Sequence, residues 1–325
     1  MDTIQNIAVF TSGGDAPGMN AAIRAVVRSS LYYNLNVYGI YRGFEGMVRG
    51  DIFQMDAKSV ANIIQRGGTM LKTARSDYFR TKEGRKEAYE QLKKYDIDAI
   101  VAIGGDGTLA GSKLFMEEFH VPIIGIPGTI DNDLQGTDFT VGYDTAINTV
   151  IEAVDKIRDT AESHDRVFIV EVMGRDSGLI ALRSGIGTGA EAILIPETKV
   201  DFTAVLNRLD KTRKNKSSRI IIVAEGENEG GAFDVADKVK NRFPHYDVRL
   251  SVLGHIQRGG SPSCMDRVLA SRLGVAAVEG LLAGRKGEMV GLIGGEVAYT
   301  PFSNAIKHIR EVNPNLLKLV EILSL

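Results

Sequence analysis

The sequence predicts an α/β protein of two three-layer domains with mostly parallel sheets. The chain has 325 residues, more than one compact core usually holds, so two domains are expected. One unit recurs along it: a short apolar run, a glycine-rich turn, then a helical pattern. The 36 glycines lie in no low-complexity tract; they collect at the ends of the apolar runs, where backbone turns sharply or approaches a ligand.

The runs can be taken in order. Ile7–Phe10 leads to Thr-Ser-Gly-Gly-Asp-Ala-Pro-Gly-Met-Asn and a helix from about Asn20. Ala99–Ile103 leads to Gly-Gly-Asp-Gly-Thr and another helix, and Val121–Ile126 to Pro-Gly-Thr-Ile-Asp-Asn-Asp. Val167–Val172 precedes Met-Gly-Arg-Asp-Ser-Gly, Ile220–Ala224 precedes Glu-Gly-Glu, and Val290–Ile293 precedes Gly-Gly-Glu. Strands apolar on both faces, alternating with helices, imply a parallel sheet covered on both sides. Ligands of such sheets gather at the carboxyl ends of the strands, where this chain concentrates Gly, Asp, Arg and Glu. Asn148–Thr160 carries Ile151, Val154 and Ile157 on one face and reads as an amphipathic helix joining the domains. Gly185-Ile186-Gly187-Thr188-Gly189 imitates part of a dinucleotide fingerprint, but it precedes the strand Ala192–Ile195 instead of following one.

Composition narrows the function. A net charge of −2 is too balanced for a nucleic-acid or acidic-membrane partner. Cys264 is the only cysteine, which excludes an internal disulfide or cysteine-based metal cluster and fits a reducing compartment. The start of the chain enters a strand pattern at once, without a signal-like run, and no apolar stretch approaches the roughly 20 residues that span a bilayer. A cytoplasmic protein is expected.

Four segments carry chemistry. Gly13-Gly14-Asp15-Ala16-Pro17-Gly18 lies between a strand and a helix, where glycine backbone and a helix N-terminus favour a phosphate; taken alone it fits a tight turn equally well. Gly104-Gly105-Asp106-Gly107-Thr108 adds a carboxylate suited to Mg²⁺. Pro127-Gly128-Thr129-Ile130-Asp131-Asn132-Asp133 offers two carboxylates and a hydroxyl. A sugar hydroxyl attacking phosphorus needs a base, and Asp131 is the candidate, although taken alone the cluster is better explained by an Asx turn. The arginines Arg75, Arg166, Arg175, Arg249 and Arg258 are assigned to strand ends; each presents a fork that matches phosphate oxygens. His255 and Arg258 sit together in Gly254–Pro262, a glycine-rich turn after a strand.

Together these segments resemble the bacterial ATP-dependent 6-phosphofructokinase family. Thr11–Asn20, Arg66–Thr69, Gly104–Thr108, Pro127–Asp133, Val170–Arg175 and Leu253–Pro262 match in order, essentially end to end. The resemblance implies transfer of the γ-phosphoryl of Mg-ATP to the 1-hydroxyl of fructose 6-phosphate. It implies an ATP site of Gly14, Arg75, Ser76, Gly105, Asp106, Gly107 and Thr108, with Mg²⁺ on Asp106 and Asp133 as a further candidate. Asp131 is then the proton acceptor. Thr129, Ile130, Met173, Gly174, Arg175, Glu225, His255 and Arg258 hold the sugar phosphate, and Arg166 and Arg249 reach in from a neighbouring subunit of a homotetramer. Gly14, Arg75, Thr129 and Arg175 join Asp131 in catalysis. The implied domains are discontinuous, about 1–140 plus 257–305 for ATP and about 141–256 plus 306–325 for the sugar phosphate, with the active site in the cleft between them.

Three other readings compete. A pyrophosphate-dependent relative typically carries Asp and Lys where this chain has Gly107 and Gly128, and glycine at both leaves room for ATP. Kinases of NAD or diacylglycerol share only the Gly-Gly-Asp-Gly-Thr loop. A catalytically inactive metabolite sensor needs a missing base or phosphate arginine, and none is missing. The resemblance also implies an effector site for ADP or phosphoenolpyruvate, on Arg24, Arg28, Arg158, Gly189, Glu191, Lys214 and Lys216. There the chain departs from its relatives. Ala57, before a helix containing Val60, replaces an Arg; Lys214 replaces an Arg; Ser217 and Ser218 replace a Lys and a His. Weak regulation is expected.

Overall fold

The computed structural model describes residues 4–161, 166–198, 202–211, 218–227, 230–306 and 312–323. The chain starts with β1 (Asn6–Thr11), α1 (Met19–Tyr32), β2 (Asn36–Ile40), α2 (Gly43–Arg49) and β3 (Ile52–Met55). An irregular stretch leads to α3 (Lys82–Lys93), β4 (Ala99–Gly104), α4 (Asp106–Phe119), β5 (Ile123–Pro127) and α5 (Tyr143–Ala161). Next come β6 (Arg166–Val172), α6 (Leu179–Thr188), β7 (Ala192–Leu194), α7 (Phe202–Lys211), β8 (Ser218–Ala224), α8 (Gly231–Arg242) and β9 (Asp247–Val252). The last elements are α9 (Cys264–Leu282), β10 (Glu288–Ile293), β11 (Glu296–Pro301), α10 (Phe302–Ala305) and α11 (Pro314–Leu323).

These elements form two units. Unit 1 comprises Met1–Ile130, Leu134–Thr145 and Arg258–His308; unit 2 comprises Asp131–Asp133, Ala146–Gln257 and Ile309–Leu325. Unit 1 has a seven-stranded sheet in the order β11-β10-β5-β4-β1-β2-β3. Its five inner strands run parallel, while β3 and β11 pair antiparallel at the edges. All six residues of β4 are buried, as a strand covered on both faces requires. On one face Phe10, Ile100 and Ala102 pack with Phe44, Phe79 and Phe115; the rings of Phe44 and Phe79 stack at 4.1 Å. Each such side chain contributes about 1.5–3 kcal/mol on burial. Unit 2 has a four-stranded parallel sheet, β7-β8-β6-β9. Val167, Ile169, Ile221 and Val223 of that sheet pack with Val235 and Val239 of α8.

Two local expectations change. Residues 57–62 around Val60 form turns instead of a helix. Asp56 accepts from the Ser59 backbone and hydroxyl as a helix cap does, but Asn62 adopts φ +55° and ends the turn. The helix predicted over Asn148–Thr160 begins earlier, at Tyr143, because its first turn receives a cap from a distant carboxylate. The fingerprint-like glycines end at Gly189, the left-handed C-cap of α6, as glycine commonly is.

Candidate active site

In unit 1 the chain moves from β1 to β2 on one side and later returns to β4 on the other. The loops after β1 and β4 therefore flank a topological switch point, where open parallel sheets bind ligands. The Ser12 N–H donates to the Ile103 carbonyl at 3.0 Å. A Cβ on Gly104 would collide with the Thr108 hydroxyl and the Ser12 carbonyl, so the two loops lie in contact. Gly105 is the N-cap of α4, and Asp106 to Thr108 form its first turn, presenting helix N–H groups suited to phosphate. The Thr108 hydroxyl is buried without a hydrogen-bond partner among the described residues.

Gly14 has a second reason to be glycine. A Cβ there would lie 2.6 Å from Arg258 Nη1, and that guanidinium donates to the Asp15 carbonyl at 3.2 Å. The first loop and the Arg258 segment are thus one surface. The structure also separates two glycines to which the sequence reasoning gave one role. A Cβ on Gly107 meets nothing within 4 Å, whereas one on Gly128 would press on Ile103 Cγ2 and Met19 Cε, each at 3.1 Å. Gly107 leaves open space; Gly128 serves packing.

Arg75 and Ser76 lie in the chain between β3 and α3, just after a stretch held at the carboxyl end of β1, where the Thr11 hydroxyl meets the Thr69 hydroxyl at 2.8 Å and the Lys72 carbonyl at 3.1 Å. The Asn20 side chain holds the approach to them, donating to the Arg66 and Gly67 carbonyls at 3.0 and 3.1 Å and accepting from Met70 N at 2.7 Å. A hydrogen bond from Ser76, then Arg49, holds the Glu45 carboxyl below its usual range. Arg85, buried between Glu118 and the Phe79 and Arg80 carbonyls, fixes the next turn.

In unit 2 the loops after β6, β8 and β9 meet at the carboxyl ends of their strands. Glu225 accepts from Gly174 N at 3.2 Å and from Arg175 N at 2.7 Å. The wholly buried Gln257 accepts from Met173 N at 3.3 Å and donates to the Gly254 carbonyl at 3.1 Å. Arg175 adopts φ +53°, a left-handed conformation costly for a long side chain. Its Nε stands 3.7 Å from Asp131 Oδ2, with the Arg175 side chain 64% exposed and that of Asp131 4% exposed. Asp131, Met173, Gly174, Arg175, Glu225 and His255 thus belong to one unit; Thr129, Ile130 and Arg258 belong to the other. Sequence reasoning missed Gln257 and Asn20, neutral amides with nothing in their own residue type to mark them.

Arg166 and Arg249 are not at the carboxyl end. Arg166 opens β6 at its amino end, and Arg249 lies within β9 opposite Phe168. Both bind Asp247, Arg166 Nε at 2.8 Å and Arg249 Nε at 2.9 Å. Hydrogen bonding to Arg166, then to Arg249, holds the Asp247 carboxyl below its ordinary value. Arg166 stands six residues, about 20 Å of strand, from the Met173 end of β6.

The residues assigned to an effector fall in both units. Arg24 and Arg28 line an open depression of ≈ 400 Å³ on α1 with Tyr32, Ser271 and Glu279. Burial, then the neighbouring Arg28, lowers the Arg24 pKa. Arg158 donates to the Thr188 carbonyl at 2.5 Å, one residue before Gly189, and buried Glu191 accepts from Ile220 N at 2.5 Å. Lys214, Lys216 and Ser217 lie outside the described residues. Among the described residues no cluster of three or more His, Cys, Asp or Glu could hold a metal. A single carboxylate such as Asp106 at a phosphate-binding helix start fits Mg²⁺ that arrives on a nucleotide, since Mg²⁺ is held largely by phosphates and water.

A sequence profile described as Phosphofructokinase matches residues 6–281. The chain belongs to the phosphofructokinase family. It is 56% identical over 319 residues to an ATP-dependent 6-phosphofructokinase of Cytophaga hutchinsonii, covering 98% of this chain and 97% of that protein. It is 53% identical over 323 residues to ATP-dependent 6-phosphofructokinase 1 of Thermus thermophilus, covering 99% of this chain and 100% of that protein. Among solved structures, the phosphofructokinase of Saccharomyces cerevisiae aligns with a TM-score of 0.87 and 37% identity over 98% of this chain; the chain spans 46% of that longer one. The phosphofructokinase fold thus accounts for both sheets and for the loops where the matched motifs lie. No helix among the described residues is long and apolar enough to cross a membrane.

Proposed function

We propose that this phosphofructokinase transfers the γ-phosphoryl of Mg-ATP to the 1-hydroxyl of fructose 6-phosphate, giving fructose 1,6-bisphosphate and ADP in glycolysis. The observation that carries the reading is Asp131: a buried carboxylate within the Pro127–Asp133 loop, with the exposed Arg175 guanidinium 3.7 Å away. That is the pairing a general base needs beside a group that stabilises transferring phosphate. The 1-hydroxyl oxygen attacks the γ-phosphorus, its proton passes to Asp131, and the bond to the β–γ bridging oxygen breaks. Arg175 and Arg75 neutralise charge on the transferring group, and the backbone of Gly14 and of Gly105–Thr108 cradles the nucleotide phosphates with Ser76 beside it. Asp106, and Asp133 as a further candidate, would hold Mg²⁺, which supplies charge neutralisation on those phosphates when bound. Thr129, Ile130, Met173, Gly174, Glu225, His255 and Arg258 hold the sugar phosphate.

Open space over Gly107 supports ATP as donor. An Asp there would add negative charge where phosphate approaches. The position of Arg166 and Arg249, away from the loop ends, supports their serving a neighbouring subunit's site in a homotetramer. We place the enzyme in the cytoplasm. Regulation by ADP and phosphoenolpyruvate is weak, because Ala57, Ser217 and Ser218 bring no cation where relatives have one. The test is ³¹P NMR of the protein with Mg-ATP and fructose 6-phosphate. The expected spectrum gains ADP and a second sugar phosphate ester. Inorganic phosphate with no new ester would sink the proposal.

A further inference from the structure

The Arg258 segment ends in a network that the reaction itself does not use. Asp266, in the first turn of α9, is wholly buried. Its Oδ1 accepts from Gly142 N at 2.8 Å, and its Oδ2 accepts from Thr145 N at 2.8 Å and the Thr145 hydroxyl at 2.5 Å. Those donors belong to the start of α5, so the carboxylate of one helix caps another. The cap is returned. Ser263, the N-cap of α9, donates its hydroxyl to Asp144 at 2.6 Å and its N–H to the Thr145 hydroxyl at 2.9 Å. Every hydroxyl proton in this exchange has one direction.

Arg267 faces the other way. Its Nε donates to the Pro262 carbonyl and its Nη2 to the Ser261 hydroxyl, each at 2.8 Å. Ser261 in turn donates to the Gln65 carbonyl at 2.8 Å, and a Cβ on Gly67 would collide with the Gly260 carbonyl oxygen. From Gly260 to Arg267 the chain is thus clamped on both sides, two residues beyond Arg258.

We propose that Asp266 and Arg267 are positioning residues for Arg258, fixing the segment that carries its guanidinium against Gly14 and toward the sugar phosphate. This rests on the function proposed above. A role in stability alone does not explain Asp266. The charged group that faces it from α5 is another carboxylate, Asp144; Gly18 and Val141 bring no titratable group; and Arg267 is turned to Pro262. Burial raises the Asp266 pKa to about 6 against the three hydrogen bonds it accepts, so its charged form is disfavoured relative to its neutral form. Such a group is better explained by the geometry it imposes.

The test compares Asp266→Asn, Thr145→Val and Thr145→Ser with the wild type, reading kcat, both KM values and Tm. Asp266→Asn and Thr145→Val are expected to raise the fructose 6-phosphate KM about tenfold, the effect of loosening one charge-assisted phosphate contact. The ATP KM and kcat stay within about threefold. Thr145→Ser keeps the hydroxyl and restores the wild-type KM. An unchanged fructose 6-phosphate KM in the folded variants, or both KM values rising together as Tm falls, overturns the proposal. If Asp266→Asn does not fold, the Val and Ser variants of Thr145 give the same reading. A wild-type protein that does not phosphorylate fructose 6-phosphate overturns the function reading beneath it.

Discussion

Replacing Asp131 with asparagine keeps the side chain's shape and removes its ability to take a proton. The site is 3% exposed, so bulk water has little access to substitute for the lost base. The expected fall in kcat is about 10²–10⁴-fold, or about 3–5 kcal/mol of transition-state stabilisation. The ion pair with Arg175, whose side chain is 64% exposed, itself contributes about 1 kcal/mol or less to stability. The fructose 6-phosphate KM should move far less than kcat, because proton acceptance matters in the transition state and not in the ground state. The assay couples fructose 1,6-bisphosphate to aldolase and follows initial rates at saturating ATP, with Tm measured alongside. A variant that keeps more than about a tenth of wild-type kcat shows that Asp131 is not the base.

Asp266 predicts a pH dependence of stability. Its pKa, raised from 3.8 to about 6, means the folded state holds the proton more tightly, so its contribution is full below about pH 4 and lost as pH rises through 6, by about 3 kcal/mol. Thermal melts of Asp266→Asn against wild type should favour the variant more at pH 7.5 than at pH 4.5, and a pH-independent difference would contradict this. Mixing inactive Asp131 and Arg249 variants should restore activity through hybrid sites; if subunits demonstrably exchange and no activity returns, the shared site fails. Fructose 6-phosphate saturation should stay nearly hyperbolic at neutral pH with millimolar phosphoenolpyruvate. A strongly sigmoidal shift reversed by ADP would show a working effector site despite Ala57, Ser217 and Ser218.

Much of the fold was legible because burial on both faces writes itself into sequence. β4 reads as an unbroken apolar run ending in glycine, and its boundaries were found within a residue. β11 left little trace, because an edge strand pairs on one side and tolerates Glu296 and Thr300. β5 was expected from Val121 and starts at Ile123. The site was legible where residue type announces chemistry, as with Asp131, Arg175 and the glycine loops. It was illegible where function depends on who meets whom. Gln257 reaches a partner 84 residues away and Asp266 one 124 residues away, and neither partner marks the sequence around them. Arg166 and Arg249 were assigned to strand ends by residue type; only the register shows one at the amino end and the other mid-strand.

ATP donates the phosphoryl group and fructose 6-phosphate accepts it. Formation of fructose 1,6-bisphosphate by the wild-type protein, followed with Mg-ATP and with pyrophosphate in parallel, tests this. Product is expected with ATP and none with pyrophosphate. Robust turnover with pyrophosphate and none with ATP would contradict it.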